Sequence, residues 1–242
     1  MSTYPVPKIW FFDLEGTILK KESSLDNGKV APSAWTVLAK ELGNGCYLEE
    51  ELFKDKWLSG GYTGYLDWMR DSVLILQRHG LQRAHIETLV SNMEMHNGAK
   101  ELFELLNSIG VVTVLISGGF KALADKVQRE LKINHSFSGC ELFFDSSGKL
   151  ESFNLLPTDN EGKVAFMQLV AREYGMGPEN CVFVGDGKND IYLAKAVGFS
   201  VAFNAQPELI ETATLSVKQK EDNENLLEVY EEILNFIAHS MN

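Results

Sequence analysis

Short apolar runs alternate with amphipathic stretches along most of this chain, the rhythm of an α/β domain built on a parallel sheet. Four runs read as strands: Ile9–Phe12, Val111–Ile116, Cys181–Val184 and Ser200–Phe203. All are short, β-branched or aromatic, and bounded by Gly, Asp or Asn. Periodicity alone does not separate so short a strand from a buried helical turn. The polar or glycine-rich turn that ends each of the first three decides for strand. Amphipathic spacing predicts helices over Gly98–Asn107 (Leu102, Leu105 and Leu106 on one face, Gly110 as the stop), Phe120–Leu131, Lys163–Tyr174 and Asn223–His239. The segment CELFFDSSGKLESF predicts a β-hairpin turning at Ser146–Gly148.

Between about Pro32 and His96 the pattern changes. No strand is convincing there, and three or four helices fit, including Ala34–Leu42, Glu49–Leu58 and Tyr65–Arg78. This stretch separates the first strand from the second, so it is an insertion into the α/β core. An insertion at that point sits over the carboxyl ends of the strands, where open α/β sheets bind ligands. The expected organisation is a doubly wound, mostly parallel core of residues 1–22 and 97–242, with a helical cap of residues 23–96. No internal repeat, low-complexity tract or flexible linker interrupts it.

Composition narrows the function. The chain has 242 residues, 45% of them hydrophobic and 23% charged, with a formal net charge of −12. That charge, with no basic run, argues against a nucleic-acid partner. Any phosphate site must supply its own positive field from a metal, a lysine or backbone N–H groups. Cys46, Cys140 and Cys181 are too few and too scattered for a disulfide framework or zinc knuckle, and Cys181, within CVFV, reads as a buried small hydrophobe. No apolar run approaches the ~18 residues of a membrane span. The N-terminus is not that of a secretory signal, so the cytoplasm is the expected location.

Candidate chemistry collects at the predicted strand ends. In WFFDLEGTIL the strand ends at Asp13, and Glu15, two residues on, lies on the same side of an extended chain. Paired carboxylates suit covalent phosphoryl transfer: one attacks phosphorus, the other protonates the leaving oxygen and later deprotonates water. Taken alone, the segment reads first as a solvated acidic turn at a strand end. Leu115-Ile116-Ser117-Gly118-Gly119 ends a second strand in a hydroxyl and two glycines, with a helix following. Glycines admit a ligand close to the backbone, helix-start N–H groups favour an anion, and Ser117 can donate to a phosphate oxygen. In VFVGDGKND, Asp186 and Asp190 stand four apart around glycines. Mg²⁺ prefers oxygen ligands, which makes Asp13 and Asp186 natural ligands, with Asp190 binding directly or through water. Lys163, early in KVAFMQLV, would supply a cation to the remaining side of the phosphate. That role rests on the other three motifs, because one lysine near a helix start is ordinarily solvated.

The order DxxGT, SGG, Lys, GDGxND resembles the haloacid dehalogenase superfamily of phosphatases. The helical insertion and the ISGGF and GDGKND wording resemble its phosphoserine phosphatase branch, from about Ile9 to Val217. The resemblance implies that Asp13 is the nucleophile that becomes an aspartyl phosphate, and also a Mg²⁺ ligand. It implies that Glu15 is the general acid/base, its backbone carbonyl on the metal, and that Asp186 is a further metal ligand. Ser117, Gly118 and Lys163 match phosphate contacts, and Asn189 and Asp190 the shell that supports them. Glu22 matches a glutamate that contacts the substrate amino group.

Two departures from that branch bear on the substrate. The usual acid/base is aspartate, and Glu15 is one methylene longer, a displacement of roughly an ångström that matters at a reacting centre. A subset of the branch carries DxE, including a phosphotransferase that hands phosphate to homoserine. The branch also carries an aromatic residue and, seven positions later, a carboxylate-binding arginine; aligned on Gly61 these become Tyr65 and Ser72. Arg70 lies two residues away, on another side of a helix. Either a small gap restores Arg70 or the substrate is not phosphoserine, since serine does not replace a bidentate clamp. Trp57, Tyr62, Tyr65 and Trp68 are ordinarily core, yet would suit a larger or less charged leaving group. The expected activity is Mg²⁺-dependent hydrolysis of a small phosphorylated metabolite. Transfer to an alcohol acceptor stays open. So does non-catalytic phosphometabolite binding, against which the intact Asp13, Lys163 and Asp186 speak.

Overall fold

The computed structural model describes residues 8–21, 33–220 and 224–239. Its seven strands are β1 (Ile9–Phe12), β2 (Val112–Phe120), β3 (His135–Phe144), β4 (Leu150–Leu155), β5 (Cys181–Gly185), β6 (Phe199–Phe203) and β7 (Leu215–Val217). They form one sheet in the order β4-β3-β2-β1-β5-β6-β7, parallel throughout except for the antiparallel β3–β4 pair. The chain winds outward from β1 to β2 and β3, then returns to β5 and winds the other way. The direction reverses beside β1, so the crevice at the carboxyl ends of β1 and β5 is the place for a ligand.

β1 shows why these residues make a central strand. Ile9 and Phe11 pack on one face with Val114, Ile116, Phe183 and Met167, while Trp10 and Phe12 pack on the other with Leu115, Val184 and Phe103. Both faces are covered, so the strand is apolar at every position rather than alternating. The helices are α1 (Ala34–Glu41), α2 (Asn44–Leu58), α3 (Tyr65–Arg78), α4 (Arg83–Asn92), α5 (Ala99–Ser108), α6 (Lys121–Leu131), α7 (Glu161–Glu173), α8 (Ile191–Ala196), α9 (Pro207–Ile210) and α10 (Glu228–His239).

Four of these helices, α1–α4, lie between β1 and β2, as the sequence predicts. The chain leaves for them and comes back side by side: Lys20 N–H donates to Glu94 O at 2.8 Å, and His96 N–H to Ile18 O at 2.9 Å. Other details differ from expectation. β2 does not stop at Ile116 but runs through Ser117-Gly118-Gly119 to Phe120, with a shift of register against β3. The helix after it therefore starts at Lys121, beyond the glycines. The predicted hairpin is present as β3–β4, but its first strand begins at His135 and also pairs in parallel with β2. The start expected for the last helix, Asn223, lies outside the described residues. No helix of the described residues is long and apolar enough to cross a membrane.

Candidate active site

Asp13 follows β1 and Asp186 follows β5, adjacent strands, so their carboxylates share one crevice. Between them sits Gly16, at φ 88°, where a Cβ would land on the Asp186 carboxylate; only glycine lets the turn pass there. Lys163, two residues into α7, is fully buried. Its ammonium donates to Asp13 Oδ1 and to Asp190 Oδ1, both at 2.6 Å, and stands 3.8 Å from Asp159 Oδ1. The other oxygen of Asp190 accepts from the backbone N–H groups of Asp186 and Gly187, each at 3.0 Å. Asp190 thereby holds both the lysine and the turn that presents Asp186.

The electrostatics follow from this crowding. Burial lifts the Asp13 carboxyl well above the usual carboxylate range; Lys163 pulls it down, while Asp190 and Asp186 push it up. Burial likewise raises Asp186, opposed by Lys21. For Lys163 burial favours the neutral amine, but Asp13, Asp190 and Asp159 outweigh it and hold the pKa above the ordinary lysine value. Glu15 is pushed up to about 7, mainly by burial, against the backbone N–H of Ala34 and the charge of Lys21.

One carboxylate oxygen from each of Asp13, Asp186 and Asp190 lies within 4.8 Å of the others. Three hard oxygen donors suit Mg²⁺ and offer nothing to a thiolate- or imidazole-seeking metal. The Lys21 ammonium, bonded to Asp186 Oδ2, shows that this oxygen draws a cation. Asp13, Asp186 and Lys21 line a cavity of about 440 Å³ together with Glu15, Ser117, Gly118, Asp159 and Asn189, while Asp190 and Lys163 are buried behind them. Trp57, Tyr65 and Trp68 from α2 and α3, with Trp35 from α1, form its opposite wall.

Thus Asp13, Glu15, Ser117, Gly118, Lys163, Asp186, Asn189 and Asp190 come together, and Glu22 lies outside the described residues. Ser117 Oγ accepts the Gly119 N–H at 3.0 Å, and Asn189 donates to Asp159 Oδ1 at 2.8 Å. Tyr65 stands with them, its hydroxyl donating to Gly118 O at 3.0 Å. Arg70 does not: it is exposed and bonds Asp67 at 2.8 Å. Ser72 is buried, its hydroxyl without a partner. Among the described residues no arginine lines the cavity.

Sequence reasoning missed Asp159, Lys21 and His96. Asp159 stands four residues before Lys163, a spacing that pairs side chains across a helical turn and that could have marked it. His96, assigned no role from the sequence, is buried with its ring bonded to the Gly16 backbone. Burial drops its pKa to about 4, so it holds the Gly16 turn as a neutral group.

Residues 7–198 match the family model of haloacid dehalogenase-like hydrolases. The chain is 30% identical over 210 residues to a phosphoserine phosphatase of Archaeoglobus fulgidus, covering 86% of this chain and 56% of that protein. It is 27% identical over 222 residues to that of Methanocaldococcus jannaschii, covering 90% and 96%. Among solved structures, the phospho-aspartyl intermediate analogue of a phosphoserine phosphatase superposes with a TM-score of 0.72. It is 24% identical and covers 93% of this chain and 98% of that one. The family match takes in β1, β2, α7 and β5, the elements from which the carboxylates and the lysine converge. This chain belongs to the haloacid dehalogenase-like hydrolases.

Proposed function

We propose that this chain is a Mg²⁺-dependent phosphomonoester hydrolase, similar to phosphoserine phosphatases, that acts on a small phosphorylated metabolite through Asp13. The observation that carries this reading is the buried Lys163 ammonium, 2.6 Å from both Asp13 and Asp190 and directly behind the Asp13 carboxylate that lines an accessible cavity. A buried cation beside a strand-end carboxylate is what an incoming phosphate dianion needs.

In the proposed reaction an Asp13 oxygen attacks phosphorus and the P–O bond to the leaving group breaks. The Glu15 carboxyl gives its proton to the departing alkoxide. Glu15, now a carboxylate, then takes a proton from water as that water attacks phosphorus. The acyl-phosphate bond breaks, releasing phosphate and restoring Asp13. Lys163 and the Ser117 hydroxyl hold the phosphoryl oxygens throughout. Asp13 and Asp186, with Asp190 beside them, would hold Mg²⁺, which when bound neutralises phosphate charge. Helices α1–α4, proposed as a cap over the residue 1–22 and 97–242 core, bring Trp57, Tyr65 and Trp68 against the leaving group. With Arg70 turned outward to Asp67, that wall suits an alcohol lacking the carboxylate of serine.

The test is phosphate release from a panel of small phosphomonoesters, phosphoserine included. Release is expected with Mg²⁺, lost on chelation and restored by adding Mg²⁺ back. No release from any ester in the presence of Mg²⁺ would overturn the reading.

The Glu15 pKa of about 7 sets a further expectation. The general acid acts protonated, so kcat/KM for an alkyl ester should fall tenfold per pH unit above roughly 7. Glu15→Gln should remove that limb and lower the plateau. A pH profile with the same limb in the variant would assign the titration to another group.

A further inference from the structure

Glu15 is bound to the helical segment as well as to the core. Its Oε2 accepts the backbone N–H of Ala34, the first residue of α1, at 2.6 Å. Its Oε1 fills the space that a Cβ on Gly119 would take, at the end of β2. The carboxyl is thus caught between two elements. α1 is itself fixed above that point, because the Trp35 ring packs at a tilt of 40° against Phe120 with centroids 4.3 Å apart.

Side-chain length decides whether this contact exists. An aspartate at position 15 would end about 1.5 Å short, one C–C bond. That takes a 2.6 Å contact beyond hydrogen-bonding range. The extra methylene of Glu15 spans the gap between core and helical segment. We propose that the Ala34 N–H is a positioning group for the Glu15 carboxyl, so that α1 sets the acid/base in place. This rests on the acid/base role given to Glu15 above.

The backbone supplies a clean test. Ser33, the N-cap, is extended (φ −162°, ψ 165°), the conformation a following proline requires. Ala34 is the first helical position, where proline is favoured and removes only an N–H that has no intrahelical partner. Ala34→Pro should therefore keep α1, delete the donor and put a ring carbon against the Glu15 carboxyl that displaces it, while Ala34→Gly keeps the donor. The measurement is kcat/KM for the best alkyl monoester of the panel and for p-nitrophenyl phosphate, whose leaving group needs no protonation. Ala34→Pro should lower the alkyl-ester value about threefold to tenfold, the scale of a hydrogen bond to the neutral carboxyl that acts as the acid, and spare p-nitrophenyl phosphate. Ala34→Gly should track the parent. In a Glu15→Asp background, Ala34→Pro should change neither value.

Equal losses on both esters, or the same loss in the Glu15→Asp background, would reduce Ala34 to a structural residue and overturn the proposal, as would no loss. If Ala34→Pro melts far below the parent, Gly119→Ala presses on the same carboxyl from the other side. It must then show the same ester selectivity, weakened in the Glu15→Asp background, or the proposal fails. A parent that hydrolyses neither ester sinks the functional reading with it, whereas an active parent indifferent to Ala34→Pro sinks the positioning alone.

Discussion

Asp13→Asn is expected to abolish phosphate release, with turnover falling by about four orders of magnitude or more, the scale on which removing a nucleophile acts. The carboxamide nitrogen or oxygen forms no stable acyl phosphate, and the ammonium of Lys163 has no group to offer in its place. The loss should come without unfolding. The pKa of Asp13 is raised in the folded chain, with burial the largest cause, so above that pKa the ionised form costs folding free energy that a neutral asparagine does not. Lys163 keeps Asp190 at 2.6 Å and Asp159 at 3.8 Å. The thermal midpoint of metal-free Asp13→Asn should therefore be no lower than that of the parent at neutral pH. Residual turnover above a hundredth of the parent's would remove Asp13 from the mechanism. A midpoint lowered by many degrees would mean that its ionised form stabilises the fold.

Lys163→Met should damage both activity and stability, and the two losses can be separated by pH. Taking away a fully buried ammonium leaves Asp13, Asp159 and Asp190 without their common cation. Breaking a buried ion pair from one side costs about 3–5 kcal/mol, against a total stability on the order of 5–15 kcal/mol. Burial already raises the carboxyl pKa of Asp13 and Asp159 in the folded chain, and without Lys163 both rise further. The folded state then binds protons more readily than the unfolded one, whose aspartates titrate near ~4. Stability should fall as pH climbs from there through the raised values, and recover on acidification. Urea melts at mildly acidic and mildly alkaline pH would show it: the deficit of Lys163→Met should be larger at alkaline pH. A deficit independent of pH would mean that packing, not charge, is what Lys163 provides. Lys163→Arg should not rescue, since a planar guanidinium does not fit a slot shaped to a fully enclosed amine. At a pH where Lys163→Met is folded, turnover should still be down by about a hundredfold to a thousandfold, as for loss of one preorganised charge.

Much of this was legible in the sequence because the chemistry sits on strand ends. An apolar run followed at once by Asp13, or by Gly185 and Asp186, announces both the strand and the crevice that its carboxylate enters. The sheet therefore followed from β1, β2, β5 and β6. What stayed hidden lacked a local signal. β7 has three residues, too few for any period to show. The early part of β3, His135–Gly139, is polar enough to read as a loop, and only pairing with β2 makes it a strand. The extension of β2 through two glycines contradicts their local preference and is imposed by its neighbour β3.

Within the site, legibility followed the same line. Asp13, Asp186, Asp190 and Lys163 were readable because motif spacing brings them together. Lys21 and the Ala34 N–H were not, because each acts through a contact between distant segments, whereas Asp159 carried a local sign in its four-residue spacing from Lys163. Ala34 contributes only backbone, which carries no side-chain signature at all. The alternatives for Arg70 required coordinates to resolve, since a two-residue offset on a helix changes which way a side chain faces.

The paired departure and return of the chain at Lys20–Glu94 and Ile18–His96 also bears on how this architecture diversifies. To the sheet, everything between those pairs is a single excursion whose ends are already pinned together. Closing such an excursion depends on its length only logarithmically, about 0.6 kcal/mol for each doubling. Residues can be added, trimmed or exchanged there at little thermodynamic penalty to the strands. The carboxylate floor of the cavity and its aromatic wall are thus free to change at different rates, with Glu15 reaching from one to the other.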